Sequence, residues 1–392
     1  MPDVSIIISS YNIYYQTLFT LESLSNQTFD LSKVEVILID NGSTDNTYKL
    51  KDFKSTFQFK YIRCKENLER AGAKNKGLEH AEGSIIIFLN GEMLVEKDFI
   101  SKHVSYHLIN KNIIVSTNFS QQEIFTVYHP DFNENQMRKF YEQKQKYVSH
   151  DILSKETQSI TELITRDEII SNNFNSYSYN SPYFTEVYKN YGFNLKQFLL
   201  PWVICVTRCI SIRKDLIEKA GYFDECFKGW GSEDSEWAYR MYKKGAIFVE
   251  APEIKVYHQE HPFNEQERSL ETIQNLIKLQ TIHKEIDTAI LSLGFFQRFD
   301  LILLNNILRE YITLTYIYKT EFNIILEYLY ESLIIAPKIH MKNTSLKKGS
   351  LNKQVSLELK HYNRNELLKQ YKALNALNDY PLLTKLIKYI IK

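Results

Sequence analysis

The sequence predicts an α/β fold, a mostly parallel sheet with helices on both faces, followed by an α-helical C-terminal region. Three observations predict it. Apolar, strand-like runs alternate with helix-patterned segments through residues 4–116. The alternation resumes at Pro201 after a polar stretch, and beyond Pro262 only helical spacing remains.

The elements follow in order. Residues 4–9 form a buried-strand run, and 15–26 carry Leu18, Leu21 and Leu24 at helical spacing. Residues 34–39 are a second strand. Residues 45–53 read as a helix with Ser43 and Thr44 as candidate caps. A short strand at 61–64 precedes a helix at 70–81, ended by Glu82-Gly83. Strands at 84–89 and 113–116 flank a helix at 97–107. Residues 121–198 are polar and weakly periodic, which suggests an insertion rather than a core, with one helix at 135–147 and a loop at 172–183. Strands follow at 203–212, 246–250 and 254–258, with helices at 214–220 and 233–244. Helical spacing then runs through 270–291, 299–330 and 354–392, with a Lys-rich linker at 338–353. The expected division is a first domain over 1–265, containing the insertion, and a helical region over 266–392.

Composition excludes several classes. The 48 basic and 47 acidic residues leave a formal charge of +1, with no overall attraction for nucleic acid or an anionic membrane. The cysteines Cys64, Cys205, Cys209 and Cys226 form no zinc spacing and suit a reducing compartment. The N-terminus lacks a basic n-region, and no apolar run reaches the roughly 18 residues of a membrane span. The expected location is the cytoplasm, with peripheral contact at the membrane's inner face through the Lys-rich linker and self-association through the C-terminal helices as further options. No GxGxxG follows the first strand, which argues against a dinucleotide-dependent oxidoreductase.

In a doubly wound sheet, ligands sit at the carboxyl ends of the strands. Ser10, Tyr11 and Asn12 follow the first strand and can receive a nucleotide base or ribose. Asp40 ends the second strand, before Asn41 and Gly42; it can accept hydrogen bonds from such a ligand, or simply form an Asx turn with a helix cap. The run Asn90-Gly91-Glu92 follows the strand at 84–89, and Glu92 offers an oxygen ligand to a hard cation. Gly229-Trp230-Gly231-Ser232-Glu233-Asp234 combines an indole face with two carboxylates at a helix start. Such a loop can bind a sugar ring and deprotonate an acceptor, or merely cap the helix with acidic residues. His258, after the last strand, matters only if it converges with Glu92.

Taken together and in order, these segments resemble the inverting family 2 glycosyltransferases with a GT-A fold, which is Rossmann-like. Residues 4–12 look like their first strand and nucleotide loop, and 40–45 like their Asp-Asp/Asn-Gly-Ser-x-Asp element. Ala73-Lys74-Asn75-Lys76-Gly77 looks like their Ala-Arg-Asn-x-Gly helix. Residues 212–258 are similar to the second half of chondroitin polymerases and β-1,4-galactosyltransferase-like enzymes. The resemblance implies a UDP-sugar donor, a glycan or polypeptide acceptor, and Mn²⁺ or Mg²⁺. It implies that Asp40 contacts the base, that Asn90 lies near the ribose, and that Lys74 lies near the phosphates. Trp230, Gly231 and Glu233 hold sugar, Asp234 is the general base, and Glu92 and His258 hold the metal. Asn90-Gly91-Glu92 departs from the family's Asp-x-Asp, which leaves two alternatives: metal-independent catalysis, or a degenerate subunit that binds nucleotide sugar or glycan without turnover.

Overall fold

The computed structural model describes residues 2–147, 159–263, 265–343 and 348–391. Its strands are β1 Val4–Ser10, β2 Val34–Asp40, β3 Gln58–Arg63, β4 Ile85–Asn90, β5 Met93–Val95, β6 Ile113–Ser116, β7 Gln121–Ile124, β8 Val127–Tyr128, β9 Thr161–Glu162, β10 Tyr179–Asn180, β11 Cys209–Arg213, β12 Ile247–Glu250 and β13 Val256–Gln259. The helices of the first half are α1 Tyr14–Leu24, α2 Glu69–His80, α3 Phe99–Ile109, α4 Glu134–Gln143, α5 Arg166–Ile170, α6 Thr185–Tyr191, α7 Lys214–Ala220 and α8 Glu233–Lys243. The rest are α9 Glu265–Ile282, α10 Ile286–Ala289, α11 Leu293–Phe296, α12 Leu301–Tyr318, α13 Asn323–Lys342, α14 Lys348–Glu358, α15 Arg364–Leu377 and α16 Pro381–Ile390.

Seven strands form the main sheet in the order β12-β6-β11-β4-β1-β2-β3. Every pairing in it is parallel except those of β11, which runs antiparallel to both β4 and β6. The mostly parallel α/β sheet is therefore present. Ile6, Ile8, Val36, Leu38, Ile87 and Leu89 are buried, because helices cover both faces of the central strands. Burying each such side chain stabilises the fold by about 1.5–3 kcal/mol. A second sheet, β10-β7-β13-β5, sets β13 between Met93–Val95 and Gln121–Ile124, with His258 opposite Met93 on one side and Glu123 on the other.

The chain divides into two compact units. The first comprises Met1–Lys196, Pro201–Gly229 and Glu233–Glu265; the second comprises Gln197–Leu200, Trp230–Ser232 and Gln266–Lys392. The second unit contains α10–α16 and most of α9, and it buries Leu279, Leu293, Phe296, Leu304, Ile307, Leu333 and Leu383.

Several sequence expectations need correction. Residues 121–198 are not a coreless insertion: β7 joins the second sheet, and Phe125, Phe132, Phe140, Tyr147 and Phe174 are buried among one another. The expected loop at 172–183 contains a 3₁₀ turn, Phe174–Tyr177, and β10. The expected helix at 45–53 is a 3₁₀ helix, Asn46–Asp52, capped by Asp45 rather than by Ser43 or Thr44. The strand expected from 203 begins only at Cys209, because Pro201–Ile204 turns so that Trp202 packs on Tyr239 at 4.8 Å. The helical run at 299–330 breaks at Lys319, whose φ is 44°. The Lys-rich linker is in large part helix, as the end of α13 and the start of α14; residues 344–347 lie outside the described residues.

Candidate active site

The first two strand ends form one stitched rim. Asn12 adopts φ 56°, a left-handed conformation that Asn tolerates better than most residues. Its backbone N–H donates to Ser43 Oγ at 3.1 Å, and its Oδ1 accepts from Thr44 N at 2.7 Å. Asp45 Oδ2 accepts from Tyr14 N at 2.9 Å. Gly42 makes this turn possible: its φ is 79°, and a Cβ there would sit 2.6 Å from the Glu66 carbonyl carbon.

Asp40 is fully buried and its carboxylate is already engaged. Oδ1 accepts from Ser43 N at 2.9 Å, and Oδ2 accepts from Tyr61 Oη at 2.6 Å, with Arg63 Nε 3.7 Å away. Its visible job is to hold the turn that carries Ser43. Ser10 is likewise buried, its hydroxyl 2.7 Å from that of Thr17. Of the three residues expected after the first strand, Tyr11 and Asn12 are exposed.

At the end of β4, Asn90 Nδ2 donates to Glu92 Oε1 at 2.8 Å. Glu92, His258 and His261 bring one ligand atom each to within 4.8 Å of one another. Burial pushes the Glu92 carboxyl up, but His261, His258 and the Asn90 amide outweigh it and hold the carboxyl below its ordinary range. Burial lowers His258 to about 3, so its imidazole is neutral and carries a lone pair at neutral pH. One carboxylate oxygen and two imidazoles suit a divalent cation such as Mn²⁺. The expected pair thus converges, and the structure adds His261. The signal was present in the sequence, since His258-Gln259-Glu260-His261 spaces two imidazoles three residues apart.

The two carboxylates at the start of α8 have opposite environments. Asp234 Oδ1 accepts from Lys74 Nζ at 2.7 Å and from the Thr207 hydroxyl, and its Oδ2 accepts from Thr207 N at 3.0 Å. Burial raises its carboxyl, but Lys74 and then Thr207 outweigh burial and hold it below its ordinary value. Glu233 is pushed up, first by burial and then by Asp234. The pair therefore splits into an ionised Asp234 and a Glu233 biased toward its protonated form. Lys74 does not stand free for phosphate. It is buried against Asp234 and lies 5.0 Å above the Phe223 ring. Lys74 is positioned by α2, whose neighbouring Asn75 exchanges hydrogen bonds with Phe223 and Glu225.

Thr207 and Arg208 connect the two clusters. While Thr207 holds Asp234, the Arg208 carbonyl accepts from Asn90 N at 2.9 Å. Adjacent residues thus tie the carboxylate of α8 to the strand end that carries Glu92. No sequence pattern marked either residue. Trp230 and Gly231 belong to the second unit: Trp230 N donates to Glu271 Oε2 at 2.8 Å, and its carbonyl accepts from Asn275 at 3.2 Å. Gly231 takes φ 93°, and a Cβ there would sit 3.4 Å from Thr272 Oγ1.

The family model for Glycosyl transferase family 2 matches residues 5–157. The chain is similar to the uncharacterized glycosyltransferase YfnE of Bacillus subtilis, with 30% identity over 66% of this chain and 65% of that one. It is also similar to the chondroitin synthase of Escherichia coli, with 26% identity over 72% of this chain and 38% of that one. The chain thus spans less than two thirds of either relative's length. Among solved structures, S. aureus TarS shares the fold, with TM-score 0.50 and 13% identity over 99% of this chain and 55% of that one. Among the described residues no helix is long and apolar enough to cross a membrane.

Proposed function

We propose that this chain, whose residues 5–157 match the model for Glycosyl transferase family 2, moves a hexose or N-acetylhexosamine from a UDP-sugar to a glycan hydroxyl with inversion. The observation that carries this reading is the Thr207–Arg208 link, which joins Asp234 to the Asn90–Glu92 strand end. Asp234, ionised at neutral pH, takes the acceptor's proton. The acceptor oxygen then bonds to the anomeric carbon as the bond from that carbon to the β-phosphate oxygen breaks, and UDP departs with the electron pair. Attack opposite the leaving group inverts the configuration. Glu233 hydrogen-bonds the sugar and Lys74 holds Asp234 in place. Tyr11, Asn12 and Asp40 form the nucleotide rim.

Glu92, His258 and His261 would hold Mn²⁺ or Mg²⁺, whose chemistry is to neutralise charge on the diphosphate. The test is UDP release from a panel of UDP-sugars with Mn²⁺ and mixed glycan acceptors. Asp234→Asn should lower turnover by about 10³-fold with donor affinity nearly unchanged, the pattern of a group acting mainly in the transition state. Wild-type turnover in this variant would remove Asp234 from the role of base. No UDP release from any donor would leave a binding subunit as the reading.

A further inference from the structure

The geometry points to Arg208 as the side chain that grips the donor's diphosphate, an inference that rests on the nucleotide-sugar reading above. Four cations stand near the two clusters, and one of them, Arg70, donates to the Gly229 carbonyl at 3.1 Å and acts on Glu233. Lys74 is bound to Asp234 at 2.7 Å. Lys139 is shared between Glu123 at 3.1 Å and Glu260 at 3.3 Å. Among the described residues Arg208 forms no ion pair with a carboxylate and its guanidinium makes no hydrogen bond.

Its position follows from the sheet. In the antiparallel β4–β11 ladder Cys209 faces Leu89, so the next step places Arg208 opposite Asn90. The 2.9 Å bond from Asn90 N to the Arg208 carbonyl continues that ladder. Directly opposed residues project to the same face, so Arg208 emerges on the side where Asn90 meets Glu92.

The guanidinium is also held in place. Its carbon lies 4.7 Å from the centre of the Tyr183 ring, and Tyr183 is fixed by its backbone N–H to the Asn118 carbonyl at 3.0 Å. A contact of this kind with the ring uses no N–H donor of the guanidinium in a hydrogen bond. A planar fork of donors matches two phosphate oxygens, which a lysine ammonium cannot do. Arg208 thereby takes the phosphate role that the sequence suggested for Lys74. It also adds positive charge at a strand end where Asn90 stands in place of a carboxylate.

The experiment is calorimetric titration of the full chain with UDP and with uridine, in Mn²⁺ and again in EDTA, for wild type, Arg208→Ala, Arg208→Lys and Tyr183→Ala. The expected result is a loss of UDP affinity of roughly tenfold or more in Arg208→Ala, with uridine affinity unchanged. Arg208→Lys should recover part of the loss, and Tyr183→Ala should show a smaller one. A thermal melt matching wild type confirms that each variant is folded. If wild type binds UDP and both Arg208 variants bind it equally well, the assignment of Arg208 is wrong and the donor reading stands. If uridine and UDP weaken together, Arg208 acts on the fold of the rim rather than on phosphate, and the inference fails. If wild type binds no UDP, the donor reading itself fails, and this inference with it.

Discussion

Replacing Lys74 with Met tests the electrostatic core of the site. Lys74 Nζ and Asp234 Oδ1 are 2.7 Å apart, and their side chains are only 6% and 19% exposed. Two unit charges at about 4 Å attract by about 4 kcal/mol at an effective dielectric of about 20. Removing one partner of a buried pair costs about 3–5 kcal/mol, because the other charge stays behind. Thr207 still donates to Asp234 through its N–H and hydroxyl, so the cost should fall near the lower end, about 3 kcal/mol at pH 7.

The pH dependence fixes the sign. In wild type the Asp234 carboxyl is held below its ordinary 3.8, so the pair stabilises above that pH and is lost as pH falls through the lower, folded value. In Lys74→Met burial is no longer outweighed by the ammonium, and the charged form is penalised. The deficit should therefore open as pH rises through the ordinary carboxyl range and shrink in acid. Urea unfolding followed by tryptophan fluorescence, repeated across pH, reads this directly. Asp234→Asn in the Lys74→Met background should recover much of the loss. Equal stability of Lys74→Met and wild type at pH 7, or no recovery in the double variant, would refute the pairing.

Three further outcomes are expected. Asn90→Asp should tighten Mn²⁺ by adding a carboxylate, while destabilising the metal-free protein through repulsion of Glu92; calorimetry with and without Mn²⁺ measures both, and unchanged Mn²⁺ affinity would count against a metal at this strand end. His261→Ala should weaken Mn²⁺ by roughly tenfold or more in the same titration if the imidazole is a ligand. Gly77→Ala should destabilise by about 1–3 kcal/mol in urea, because the added Cβ would sit 2.2 Å from Ile7 Cγ2 in the packed face between α2 and the sheet.

The central sheet was legible because β1, β2 and β4 are buried on both faces and read as unbroken apolar runs. The fold around 121–198 was not. Its charged and amide side chains dominate the composition, while Phe125, Phe140, Tyr147 and Phe174 lie too irregularly in sequence to mark a core. Asp234, Glu92 and His258 were visible as residue types at strand and helix ends. What pairing each would find was not visible, because Lys74 and Asp234 are 160 residues apart in sequence. The same distance effect hid Thr207 and Arg208, whose roles depend on β11 running antiparallel beside β4. Asp40 shows the converse: a strand-end carboxylate whose hydrogen bonds the turn itself takes up.

The antiparallel course of β11 has a consequence for synthesis. The stitched rim of Asn12, Ser43, Asp40 and Tyr61, with the Asn41 contacts to Leu68 and Glu69, needs residues up to Glu69, so it can form while the ribosome is still adding the next strands. The clusters at Glu92 and Asp234 close only after β11, α8 and β13 have emerged, beyond residue 261. An interrupted nascent chain would therefore carry the rim without the Glu92 and Asp234 clusters.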